Sequence, residues 1–307
     1  MLHTPLHRRH VLALTAASTC GLSAPVLAQA TYPNKPIRMI VPLAAGSAVD
    51  VGARSEIHRR LRSIAAQGQA VILVSSDLDE IEQVCEKLRA RQSEPHAWWE
   101  EWSAMGARLE KRADECEAAG HPLSAGNYYL RAGMYYFTAE RFIHPGPEKR
   151  AMGEKSISCQ TKGILRRHRN VERVEVPFEG KALPALFMKS PHTRGKAPTV
   201  VVFNGMDNCK EMSVLFAGLE FAERGWHTLA IDGPGQGESL RLRELYARHD
   251  YEAPGAAAYD YVASRTDIDT RKVAVMGYSF GGYYASRIAA FEKRYCAAVA
   301  MSALHWD

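Results

Sequence analysis

The pentapeptide Gly277-Tyr278-Ser279-Phe280-Gly281 constrains this chain more than any other stretch. An apolar run at residues 273–276 precedes it and reads as a buried parallel strand. Residues 282–290 after it are compatible with a helix. Strand, G-x-S-x-G and helix together describe a nucleophile elbow. Such a turn is tight enough that Gly277 and Gly281, two before and two after the serine, must lack side chains. Ser279 then presents its hydroxyl above the sheet edge at a helix N-terminus, where backbone N–H groups and the helix dipole favour negative charge.

The surrounding pattern predicts an α/β fold with a doubly wound, mostly parallel sheet. Residues 171–177 and 183–189 read as two strands around a Glu179-Gly180-Lys181 hairpin signal. Residues 198–203 form a β-branched strand suited to burial on both faces, and it ends in Asn204-Gly205-Met206-Asp207. An amphipathic helix is expected over 210–224, a strand over 226–231, a helix over 256–265 and another buried strand over 296–303. Upstream, residues 91–170 predict a helical cap. Trp98, Trp102, Met105, Leu109, Ala113 and Cys116 recur at helical spacing, and Tyr128, Tyr129, Ala132, Tyr135, Tyr136 and Ala139 mark a second helix. One such pair does not make a tetratricopeptide-like array, which needs several repeats. Residues 162–169 read as a solvated basic linker.

The Asn-Gly-Met-Asp loop, the Asp232-Gly-Pro-Gly-Gln-Gly-Glu-Ser239 turn, the run from Asp267 through Gly282 and the Trp/Tyr-rich helices before them resemble one branch of the α/β-hydrolases. That branch includes the 2,6-dihydropseudooxynicotine hydrolase and the fermentation-respiration switch esterases, and the resemblance covers about residues 95–307. It implies serine attack on an ester, or on a C–C bond next to a ketone, through an acyl-enzyme. It calls for no cofactor and for a small-molecule ester or ketone substrate. Ser279 would be the nucleophile, and the Phe280 N–H one oxyanion donor. The Met206 N–H would be the second donor, with Gly205 permitting close approach. Asp207 and Tyr278 are candidate substrate contacts. Lys210 could join them, although ordinary loop solvation is the safer reading for Lys210 and Asp207. Asp232 is expected to shape the turn beneath the site. In this fold the triad acid and histidine follow the serine on later strands. One strand separates Ser279 from Asp307, so both are expected beyond it and activity is expected to be impaired. His305 is the one histidine after the serine, placed where the template does not put the base.

The first ninety residues read differently. Residues 1–30 have a basic start (Arg8, Arg9), a short apolar core and a small-residue Ala28-Gln29-Ala30 end, the three parts of a secretory signal. The Tyr32-Pro-Asn-Lys-Pro-Ile-Arg38 run and Pro42-Leu43-Ala44-Ala45-Gly46 resemble the opening of tripartite tricarboxylate transporter receptors, over 31–54. Residues 55–90, with Ser75-Ser76-Asp77-Leu78-Asp79-Glu80, resemble a late segment of sugar ABC transporter ATPases. The chain holds no G-x-x-x-x-G-K-[ST] loop, so ATP hydrolysis is not expected. Residues 31–90 are thus expected to be a chimeric leader, and 171–307 a truncated hydrolase core. Export to the periplasm follows if the signal is used, and a cytoplasmic location otherwise. The alternatives are a periplasmic carboxylate-receptor fragment and an inactive truncated fusion product. A net charge of +5 does not argue for nucleic acid. No apolar stretch reaches the ~20 residues of a membrane span. The six cysteines include no C-x-x-C pair, so no metal is expected. A homodimer is compatible with the sequence.

Overall fold

The computed structural model describes residues 78–301 together with two short strands, β1 (Arg38–Ile40) and β2 (Val71–Leu73). Those strands pair in parallel within a first compact unit, Met1–Ser76. The signal-like segment and the rest of residues 31–77 lie outside the described residues.

The second unit begins at Asp77. Four helices come first: α1 (Leu78–Ala90), α2 (Ala97–Ala118), α3 (Pro122–Glu140) and α4 (Pro147–Arg167). Pro122 and Pro147 each start a helix, where the missing N–H costs nothing. The apolar face of α2 buries Trp102, Met105, Leu109 and Ala113 against Tyr129, Tyr135 and Tyr136 of α3. Val84 of α1 is 2% exposed within the same cluster, although the sequence assigns it to the leader. The basic stretch read as a linker is instead the last turns of α4, where Arg166 and Arg167 face the negative end of the helix dipole.

The sheet follows. β3 (Val171–Phe178) and β4 (Lys181–Met188) form the expected antiparallel hairpin. β5 (Ala197–Phe203), β6 (His227–Ile231), β7 (Ile268–Tyr278) and β8 (Ala297–Met301) complete a six-stranded sheet ordered β3-β4-β6-β5-β7-β8. The four strands from β6 to β8 run parallel, and β4 is antiparallel to both neighbours. Phe203, Ile231 and Gly277 share one row of the register, so the loops after β5, β6 and β7 emerge together at one edge.

The helical run expected over 210–224 is broken into α5 (Lys210–Ser213), a π-helical turn (Val214–Gly218) and α6 (Leu219–Glu223). It packs through Val214, Ala217 and Ala222 on one face of the sheet. α7 (Gly237–Arg241) follows β6. α8 (Glu252–Ala263) and α9 (Phe280–Phe291) pack through Ala258, Val262, Tyr284 and Ile288 on the other face. From β5 the chain goes first to β6 on one side and then to β7 on the other. The crevice between the ends of β5 and β7 is therefore the switch point at which such sheets bind ligands.

One strand differs from expectation. β8 was read as buried, yet each of its residues is exposed. It is the edge strand, paired with β7 alone among the described residues, and α9 beside it leaves all five apolar residues open to solvent. No helix among the described residues is long and apolar enough to cross a membrane.

Because Val84 fills the cap core, Val84→Ala is expected to lower unfolding stability by about 1–3 kcal/mol. Urea unfolding followed by tryptophan fluorescence measures it, and an unchanged midpoint would mean that α1 does not stabilise the cap.

Candidate active site

The candidate site is built at the end of β7. Val273 and Val275 face one layer, and Ala274, Met276 and Tyr278 the other, as a two-residue period requires. At Ser279 the backbone turns to φ 55°, ψ −129°, and α9 begins at the next residue. A non-glycine residue in this region costs about 1–3 kcal/mol, and only a surrounding structure that over-determines it will hold it there. Here that structure is backbone pressed on backbone. A Cβ on Gly277 would overlap the carbonyl of Gly281, and one on Gly281 would overlap the carbonyls of Phe203 and Asn204. The Ser279 N–H donates to the Met301 carbonyl of β8 at 2.8 Å, and the Gly282 N–H to the Ser279 carbonyl at 2.9 Å. Ser279 itself is exposed. The Phe280 N–H lies in the first turn of α9, where helix amides have no intrahelical acceptor.

The loop after β5 meets the elbow from the side. A Cβ on Gly205 would stand 3.0 Å from Ser279 Cβ and 3.3 Å from its Oγ, so glycine lets the loop backbone reach the nucleophile. Met206 comes next, its side chain exposed. Ser279, Phe280, Met206 and the glycines 205, 277 and 281 are thus brought to one place. Asp207 stays at the mouth, largely exposed, 4.0 Å from Arg141 at the end of α3. Tyr278 does not face a substrate. It is buried, its hydroxyl is 2.9 Å from Ser213 Oγ, and its ring packs on Phe216. The residue before the serine still belongs to the strand, so its side chain enters the layer beneath.

Lys210 is neither a substrate contact nor a solvated loop residue. It is fully buried, with Nζ 3.0 Å from Glu211, 3.3 Å from Asp232 and 2.8 Å from Glu238. Burial alone would lower its pKa, but the charges of Glu211, Asp232 and Glu238 outweigh it and hold the ammonium above its usual range. Burial raises the Asp232 carboxyl, and the Lys210 charge opposes that rise. Glu238 goes the other way. Burial would raise it, yet Lys210, Arg243 and Arg173 bring it down to about 2. The cap joins this cluster: the Thr161 hydroxyl of α4 donates to Glu211 at 2.6 Å. No pattern in the sequence marks Lys210 as buried; only Asp232, at a strand end before a glycine-rich turn, carried a signal.

Among the described residues the Ser279 hydroxyl makes no hydrogen bond. His227 starts the interior strand β6, at the end opposite the one that carries the loops around Ser279, and accepts the Ser190 N–H at 3.0 Å. His192 pairs with Glu223. His305 lies outside the described residues. Among the described residues no group of His, Cys, Asp and Glu could hold a metal ion.

Comparison with known proteins agrees with this geometry. The family model described as "Esterase FrsA-like" matches residues 90–305. The hydrolase LUC6 of a Fusarium species is 32% identical over 213 residues, which are 66% of this chain and 51% of that protein. The 2,6-dihydropseudooxynicotine hydrolase of Paenarthrobacter nicotinovorans is 28% identical over 215 residues, 68% of this chain and 57% of that protein. The chain thus spans about half the length of these curated relatives. The crystal structure of the 2,6-dihydroxy-pseudo-oxynicotine hydrolase superposes with a TM-score of 0.58 at 29% identity, over 66% of this chain and 56% of that one.

The cluster makes a pH prediction. With its folded pKa depressed to about 2, Glu238 contributes stability that is fully present above its unfolded value of about 4.5 and is lost as pH falls toward about 2. The stability difference between wild type and Glu238→Gln should therefore be widest above pH ~5 and shrink toward pH ~3. Urea unfolding across that range measures it, and a difference that grows on acidification would contradict the assignment.

Proposed function

The chain belongs to the FrsA-like esterase family, and we propose that its chemistry is serine-nucleophile hydrolysis of an ester, or of a C–C bond next to a ketone. The observation that carries this is the Ser279 backbone at φ 55°, with the Gly205 backbone against its hydroxyl and the first turn of α9 behind it. Ser279 Oγ bonds to the substrate carbonyl carbon and the carbonyl π electrons move onto oxygen. The oxyanion accepts from the Phe280 and Met206 N–H groups, which are fixed before the reaction and need no reorganisation during it. Collapse breaks the bond to the leaving group, which takes up the proton drawn from Ser279 and departs as an alcohol or a C–H product, and leaves an acyl-serine. Water then attacks the acyl carbon and releases the acid and Ser279.

The serine proton needs an acceptor. No described histidine is bonded to Ser279, so in this reading the base comes from outside residues 78–301. The relatives that support the reaction class are named hydrolases or esterases. The exposed Met206 side chain beside Ser279 favours an apolar substrate body, as small-molecule sites usually do.

Hydrolysis of p-nitrophenyl butyrate by wild type is expected to exceed that of Ser279→Ala by about 10⁴-fold or more. A fluorophosphonate probe should label the peptide containing Ser279 and no other. Equal turnover by the two proteins, or labelling elsewhere, would overturn the reading.

A further inference from the structure

The loop that brings Gly205 and Met206 to the nucleophile lies between Phe203, the last residue of β5, and Lys210, the first of α5. Both ends are held by one atom. Asp232 Oδ1 accepts from Asn204 Nδ2 at 2.7 Å and from the Lys210 backbone N–H at 2.7 Å. A single oxygen thus sets the chord across the loop. The other oxygen, Oδ2, accepts from the Glu238 N–H at 2.9 Å and from Lys210 Nζ at 3.3 Å. All four contacts lie on a carboxylate with no solvent exposure.

Asn204 is fixed a second time. Its carbonyl accepts from Gln236 Nε2, and the same carbonyl occupies the space that a Cβ on Gly281 would need. The first loop residue is therefore wedged between the turn after β6 and the elbow helix. Gly205 follows directly, against Ser279. Only a carboxylate offers enough lone pairs for four donors in one place; an amide in the same position has one acceptor oxygen and brings two unwanted N–H groups. A buried ion pair is seldom retained for net stability, since apolar residues of similar volume do as well. Geometry is what this one supplies.

We propose that Asp232 is a positioning residue which holds the loop carrying the Met206 N–H against Ser279, with Lys210 as the counter-ion that keeps the carboxylate in register. The proposal rests on the serine-hydrolase reading for its catalytic consequence, but the clamp itself does not. Loss of the clamp lets the loop relax outward, away from the oxyanion. Substrate binding is left intact, and the donor that matters only in the transition state is misplaced.

The experiment compares wild type, Asp232→Asn, Asn204→Ala and Ser279→Ala by hydrogen-exchange mass spectrometry and by p-nitrophenyl butyrate kinetics. Asp232→Asn is expected to exchange the amides of residues 205–209 about 10–100-fold faster while those of β5 and β7 stay within about threefold. Its kcat should fall about 10–100-fold, with KM within about twofold, the signature of a lost transition-state contact. Asn204→Ala removes one end of the clamp and should move both readouts the same way by less. It decides the matter if Asp232→Asn does not fold. Unchanged exchange at 205–209 in the folded variants would overturn the proposal. So would a uniform rise over the whole sheet with kcat and KM changing together, because that marks a general loss of stability. If wild type shows no Ser279-dependent turnover, the hydrolase reading falls and the exchange data alone decide the clamp.

Discussion

Three backbones meet around Ser279 with no side chains between them, and the rest of the structure is arranged to permit that contact. Gly277 lies on Gly281, Gly281 on the carbonyls of Phe203 and Asn204, and Gly205 on Ser279. A Cβ would prevent the first two contacts and would crowd the third. The strain at Ser279 persists because the strand end, the helix start and the neighbouring loop leave the chain no alternative path. A catalytic serine on a flexible turn would lose the alignment that gives an oxyanion donor its value.

The aligned ends of β5, β6 and β7 make this meeting possible. Parallel pairing places Phe203, Ile231 and Gly277 in one row, and helices leaving on opposite faces open the crevice between β5 and β7. Below the crevice, Lys210, Glu211, Asp232 and Glu238 form a buried charged layer. The cap helix α4 reaches it through Thr161, and β3 through Arg173. Cap and sheet are further joined by the Arg241–Glu140 pair, in which Glu140 is almost fully buried. The cap is thereby locked to the same turns that shape the site.

Much of the fold was legible in the residues. The β3–β4 hairpin, the central strand β5, the elbow strand β7 and helix α9 each carry local signals: a Glu-Gly turn, a β-branched run and two glycines at fixed spacing around a serine. What misled were segments whose surroundings lie far off in sequence. Residues 210–224 have the composition of one amphipathic helix, yet a π-helical turn interrupts it, with Val214, Ala217 and Ala222 all packed on the sheet. β8 has the apolar content of a buried strand, yet its edge position leaves it exposed. Residues 162–169 have the composition of a solvated basic linker, but the close approach of α3 and α4, where Gly126 meets Gly163, keeps α4 helical to Arg167.

By itself the sequence determined the candidate nucleophile and its immediate frame. The spacing of glycines around Ser279 is a local covalent fact, and the turn it allows needs only the strand and helix on either side. Tertiary structure alone decided that Tyr278 is a packing residue, that Lys210 is buried among three carboxylates, and that one oxygen of Asp232 holds both ends of the loop beside the nucleophile. The reason is physical. Side-chain direction at a strand end, burial of charge and hydrogen bonds between residues 22 and 28 positions apart all depend on how distant strands align, which no short window of sequence encodes.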